Sequence, residues 1–101
     1  MTGEIINMPL HIMRPKLDFS KYPNLTLETQ VGLSRYILDH KEPGGYLRSV
    51  LENNLMTAIQ SADSQNLKQL KSLCNWIFNN APGASWGDQY TVDTWIYGEE
   101  I

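Results

Sequence analysis

The chain has 101 residues, of which 42% are apolar, 19% charged and 10% aromatic, and its formal net charge is -3. This composition fits one globular domain and excludes a disordered, collagen-like or low-complexity chain, because enough apolar side chains are present to offset the entropy lost on folding. The acidic balance argues against autonomous nucleic-acid binding, and a single cysteine, Cys74, excludes an internal disulfide and a thiolate zinc site and suits a reducing cytoplasm.

Residues 1–25 are predicted to be an extended arm followed by a connector. Apolar residues alternate with other residues at Ile6, Met8, Leu10 and Ile12, which is the period of an extended chain. Because Pro9 removes a backbone donor, this segment is either an edge strand or, more in keeping with the lack of a second strand candidate, an arm laid across the body or a partner chain. The stretch 14–24 contains two prolines and predicts an irregular connector.

The next two predicted elements are amphipathic helices. The first is capped by Thr26 and extends to about His40, and the second runs from about Tyr46 to Ala62. Their predicted apolar faces consist of Leu27, Val31, Leu33, Ser34, Ile37 and Leu38 in the first helix, and of Leu47, Val50, Leu51, Leu55, Ala58, Ile59 and Ala62 in the second.

A third helix is predicted after an N-cap at Ser64, and a short fourth helix around 88–97. The expected buried residues are Leu67, Leu70, Leu73, Cys74, Ile77 and Phe78 in the third helix, and Val92, Trp95 and Ile96 in the fourth. The predicted fold is therefore all-α: a single helical domain over 26–101, a small bundle of three main helices plus a short C-terminal helix, prefaced by the extended N-terminal arm.

One candidate site is the start of the predicted second helix. Gly44 and Gly45, followed by Arg48, could offer free amides and a guanidinium to an anion. Asn54 falls within the apolar stripe of the same helix, so its amide is expected to be buried, either hydrogen-bonded to a loop backbone or lining a ligand pocket beside Trp86. These residues define the small-molecule or nucleotide-binding alternative, in which the chain acts as a sponge for a nucleotide signal.

A second candidate site is an apolar contact surface. Trp76 falls on the polar flank of the predicted third helix, where it is either covered by the arm or the fourth helix or exposed for a partner. Met56 points away from the stripe of the second helix. These two residues and Tyr46 are the predicted partner-binding residues.

Catalytic residues are not apparent in the sequence. Helical phase places Cys74 in the core, where a thiol is usually inert, and His40 has no partner at catalytic spacing. We therefore expect a protein that is not an enzyme and that has no cofactor and no metal site.

The residues from 39 to 96 resemble a pattern of short proteins in tailed-phage and prophage genomes. The resemblance rests on Pro43-Gly44-Gly45-Tyr46-Leu47-Arg48, Asn54-Leu55, Ala81-Pro82, Trp86-Gly87, Val92 and Trp95. It implies a phage accessory protein that acts in the cytoplasm of a bacterial host cell, and it carries no catalytic residue across. Such proteins commonly block a host enzyme or defence complex by binding it.

The first functional hypothesis is therefore binding to a host bacterial protein, as a host-takeover or anti-defence inhibitor. We expect no nucleic-acid binding, and no stretch of the sequence approaches the roughly 20 apolar residues that cross a bilayer. A homo-oligomer held together by residues 6–12 of the arm is the remaining possibility.

Overall fold

The computed structural model describes residues 16–98, and this part of the chain is helical. Its elements are α1 (Leu27–Asp39), α2 (Gly45–Leu51), α3 (Leu55–Ser61), α4 (Ser64–Asn80), a 3-10 turn (Gly83–Ser85) and α5 (Gln89–Tyr97). Residues 16–98 contain no strand, so the all-α prediction is confirmed for them. The predicted arm at residues 6–12 lies outside the described residues.

The ends of α1, α4 and α5 lie close to their predicted positions. The Thr26 side chain accepts a hydrogen bond from the Thr29 amide at the start of α1, and His40 ends this helix in the left-handed conformation. The Asp88 side chain accepts from the Thr91 amide and caps α5. The cap of α4 is Asp63 rather than Ser64. Each cap joins residues three apart in the chain, and for this reason local sequence predicts it.

The prediction of one continuous second helix is wrong, because the structure divides this segment into α2 and α3. Asn53 has φ 63°, in the left-handed region that asparagine tolerates better than most residues. Asn54 then starts α3, with its side chain accepting a hydrogen bond from the Thr57 amide. The two consecutive asparagines thus end one helix and begin the next, although the apolar stripe continues across the break.

The core receives side chains from all five helices and from the connector. Its buried members are Leu25, Leu33, Tyr36, Ile37, Leu47, Val50, Leu51, Ala58, Leu73, Trp76, Ile77 and Val92. Trp95 and Ile96 are partly buried against this cluster, so the inward face predicted for the last helix is confirmed.

The buried faces of α1 and α4 differ from the predicted ones. In α1 the buried residues are Thr29, Leu33, Tyr36 and Ile37, whereas Leu27 and Val31 are exposed. In α4 they are Gln69, Leu73, Trp76 and Ile77, and the predicted core residues Leu67, Cys74 and Phe78 are exposed. At the helical period, the buried face of α4 is rotated by about 80° from the predicted one.

The connector explains this rotation of α4. Phe19 stacks on Trp76 with ring centroids 4.8 Å apart. The Trp76 indole Nε1 donates to the Asp18 carbonyl at 2.9 Å, and the Thr26 amide donates to Gln69 Oε1 at 3.1 Å. The irregular segment before α1 therefore covers the side of α4 that its own sequence marks as polar.

Candidate functional site

Arg48 is the centre of a charged cluster that joins three parts of the fold. Its Nε donates to Glu52 Oε2 at 2.6 Å, and its Nη1 donates to both carboxylate oxygens of Glu42 at 2.9 and 3.1 Å. Its Nη2 donates to Asp93 Oδ1 of α5. Partial burial by itself would lower the pKa of Arg48, but the hydrogen bonds to Glu52, Asp93 and Glu42 outweigh it and raise that pKa.

This cluster changes the interpretation of the predicted anion site. The Arg48 guanidinium donates four hydrogen bonds to three carboxylates, which leaves at most one of its five N–H groups for a phosphate and surrounds that group with net negative charge. A cavity of about 240 Å³ lies beside Gly44 and Gly45, and its lining includes the carboxylates of Glu28 and Asp63. Both carboxylates oppose a negatively charged ligand. The helix that these glycines open, α2, has only seven residues.

Two further residues of the proposed ligand site have structural roles. Asn54 is exposed, contrary to the prediction that its amide is buried, because its side chain caps α3 instead of projecting from the middle of a helix. Trp86 packs against the hydrophobic core, with its ring 6.1 Å from that of Phe78. The side-chain amide of Gln30 on α1 has a structural partner as well, since its Nε2 donates to the Leu25 carbonyl at 2.9 Å.

Trp76 is buried, with 1% of its surface exposed. Trp76 is therefore covered rather than exposed, but the cover comes from Phe19 and Asp18 in the connector and not, as predicted, from the arm or the fourth helix. The prediction that Trp76 belongs to an exposed partner surface is wrong, since a partner cannot reach a side chain enclosed in this way.

Tyr46 is half-buried between α2 and α4. Its hydroxyl donates to the Asn66 carbonyl at 3.0 Å, and its ring packs against the core. Burial raises the pKa of Tyr46 to about 12. The Tyr46 ring therefore contributes to the packing of the domain, and Tyr46 also lines the cavity beside Gly44.

Met56 is exposed, as predicted, and it is part of a larger apolar surface. Met56 is 72% exposed, and Leu55 and Ile59, which lie on the same helix, are also exposed. Residues three and four apart share a face of a helix, so Ile59 lies beside both of the others. Ala58 alone of this helix is buried. We call Leu55, Met56 and Ile59 the α3 apolar face.

A groove of about 630 Å³ runs along α1, at a position that no sequence pattern predicted. Its apolar lining comes from Leu17 and Phe19 of the connector and from Leu27, Val31 and Leu38 of α1, with Lys16, Arg35 and Asp39 among the polar residues. The apolar face of the first helix is broader than one buried interface can cover, and this breadth indicates a second apolar surface. We call this feature the α1 groove.

Cys74 and His40 are the described residues closest to catalytic types. Cys74 is exposed rather than in the core, and partial desolvation raises the pKa of its thiol, which reduces the thiolate fraction. The His40 ring lies over Trp95 with centroids 4.5 Å apart, and its Nδ1 is hydrogen-bonded to the Trp95 carbonyl.

Among residues 16–98, no group of three or more histidine, cysteine or acidic side chains is placed to hold a metal ion. The same part of the chain contains no helix with the length and apolar character needed to cross a bilayer. No family model, no curated protein and no solved structure matches the chain.

Proposed function

We propose that this chain is a small phage-type accessory protein that acts in the cytoplasm of a bacterial host by binding a host protein, without catalysing a reaction. The observation that carries this proposal is the α3 apolar face. Three large apolar side chains remain exposed on a helix whose attachment to the core buries only Ala58. Clustered exposed apolar residues on a small domain are typical of interaction surfaces.

The composition of α3 indicates the chemistry of the partner. The helix reads LMTAIQS and carries no ionisable side chain. Affinity at this surface must therefore come from apolar burial, and it should depend only weakly on salt. The methionine can adapt its flexible side chain to an irregular partner surface. We expect an apolar partner patch within an interface of roughly 800 Å² on each side.

The resemblance of residues 39–96 to short phage proteins supports the choice of a bacterial partner. It includes Leu55, the first residue of the α3 apolar face. On this proposal, binding of α3 blocks a host enzyme or a defence complex. Trp76 and Tyr46 then contribute through the packing of the domain, because Trp76 is buried and the Tyr46 hydroxyl is bound within the fold.

The test compares capture by three forms of the tagged protein from a bacterial lysate: the unaltered chain, Met56→Asp and Tyr90→Asp. Tyr90 of α5 is 75% exposed, close to the 72% of Met56, so it is a matched control for placing a charge at an exposed apolar residue. We expect one protein to be retained by the unaltered chain and by Tyr90→Asp, at both low and high salt, and to be lost with Met56→Asp.

The captured protein is then purified and its Kd is measured directly. We expect Met56→Asp to weaken binding at least about tenfold, and Tyr90→Asp to change it little. Retention of the partner by Met56→Asp, or loss of all capture at high salt, would contradict binding through the α3 apolar face.

A further inference from the structure

The α1 groove is a second apolar surface, separate from the α3 apolar face. Leu33 faces the core, whereas Val31 lies about 160° around the same helix at the helical period. On that outer side Leu27 is 74% exposed and Val31 is 45% exposed. A helix that is apolar on two opposite sides is normally covered on both. The groove therefore offers a binding surface for an occupant besides the described residues.

The position of the groove identifies the nearest candidate. Lys16 and Leu17, the first two residues that the structure describes, both line the groove. The preceding 15 residues are therefore tethered at its edge. A 15-residue segment spans up to about 50 Å when extended, whereas the 13 residues of α1 span about 20 Å. The segment is long enough to follow the whole helix.

The sequence of this segment matches an apolar groove. Ile6, Met8, Leu10 and Ile12 occupy alternate positions. In an extended chain, alternate side chains point to the same side, so all four can face one surface together. Because the segment is tethered to the groove, its effective concentration there is in the millimolar range, well above that of a second copy in dilute solution.

We infer that residues 6–12 occupy the α1 groove of their own chain, with Ile6, Met8, Leu10 and Ile12 packed against Leu27, Val31 and Leu38. The segment covers the outer face of α1, as the connector covers Trp76 of α4. The α3 apolar face is separate from this contact and remains available to a partner.

Disulfide trapping in the full chain tests this contact. In a Cys74→Ser background, Val31→Cys is combined in turn with Ile6→Cys, Met8→Cys, Leu10→Cys and Ile12→Cys, and a matched set combines it with Asn7→Cys and His11→Cys. Both sets share the tether at Lys16, so an undocked segment links to position 31 at similar rates from all six positions. In a docked segment the alternate positions face the groove, and at least one of the four should link within the monomer about tenfold faster than Asn7→Cys and His11→Cys. Similar rates for the two sets would overturn the inference, as would disulfide-linked dimers, which would place the segment of a second copy in the groove.

A second measurement does not depend on the register of the segment. The single thiol of Val31→Cys, Cys74→Ser reacts with a small maleimide, and its rate is compared with and without Leu10→Asp and Ile12→Asp. We expect the two aspartates to accelerate the reaction several-fold, and Thr2→Asp, outside the alternating run, to leave it unchanged. Circular dichroism confirms that each variant is folded. If the aspartates leave the rate unchanged in folded protein, the groove is not covered by this segment.

Discussion

Replacing Arg48 with methionine tests whether this residue stabilises the fold or serves as an anion receptor. Methionine retains much of the apolar stem but removes the guanidinium. The change leaves the carboxylates of Glu42, Glu52 and Asp93 close together without their shared positive charge. We expect a substantial loss of stability, because the cluster joins the loop before α2, the end of α2, and α5.

The exposure of each pair sets the size of the expected effect. The Arg48 and Glu52 side chains are only 19% and 15% exposed, so their pair is the least screened. A hydrogen bond to a charged group contributes about 1.5–3 kcal/mol, and each of the more exposed pairs with Glu42 and Asp93 contributes up to about 1 kcal/mol. We therefore expect Arg48→Met to lower the free energy of unfolding by about 3 kcal/mol, a large part of the total for a domain of this size.

Urea denaturation at neutral pH measures this change, with Arg35→Met as the control. Arg35 is an exposed arginine of α1, so its replacement alters the net charge by the same amount and should change stability by less than about 0.5 kcal/mol. Equal, small losses for the two variants would refute the structural role of Arg48. Thermal stabilisation by inorganic phosphate that disappears in Arg48→Met would instead favour the anion-binding alternative.

Two further predictions concern Tyr46 and the break between α2 and α3. Burial raises the pKa of Tyr46 from 10.0 to about 12, so its contribution to stability is complete below pH 10 and is lost as the pH rises towards 12, because the unfolded chain ionises first. Tyr46→Phe should therefore make the fall in stability over this pH range shallower, and an unchanged slope in alkaline urea titrations would contradict this. Asn53 has φ 63°, so Asn53→Gly should be nearly neutral and Asn53→Val should destabilise by more than about 1 kcal/mol in the same assay; equal effects would show that the left-handed turn is not required.

The helix ends were predictable because short-range contacts define them. Thr26 and Asp88 were identified as the starts of the first and last helices, and each caps an amide three residues away. The break at Asn53 was missed for a related reason. An apolar stripe extended from Leu47 to Ala62, and periodicity reports which residues share a face, not whether the backbone continues between them.

The candidate site was only partly predictable. Met56 was identified because a large apolar residue opposite an apolar stripe is recognisable from spacing alone, and it is indeed exposed. Trp76 was misassigned as a partner residue because its cover comes from the connector, for which the sequence contains no periodic signal. Helical spacing could have predicted the pair of Arg48 with Glu52, four residues further on, but not the contact of Arg48 with Asp93, 45 residues along the chain.

Sequence alone determined that this chain forms helices and where most of them begin, since capping and helical periodicity involve residues only three or four apart. Tertiary structure alone decided which helix faces are buried, and it left the α3 apolar face and the α1 groove exposed among residues 16–98. The physical reason is the range of the contacts. Trp76 is bound by Asp18 across 58 residues, and such a contact depends on the path of the chain in three dimensions rather than on any local pattern.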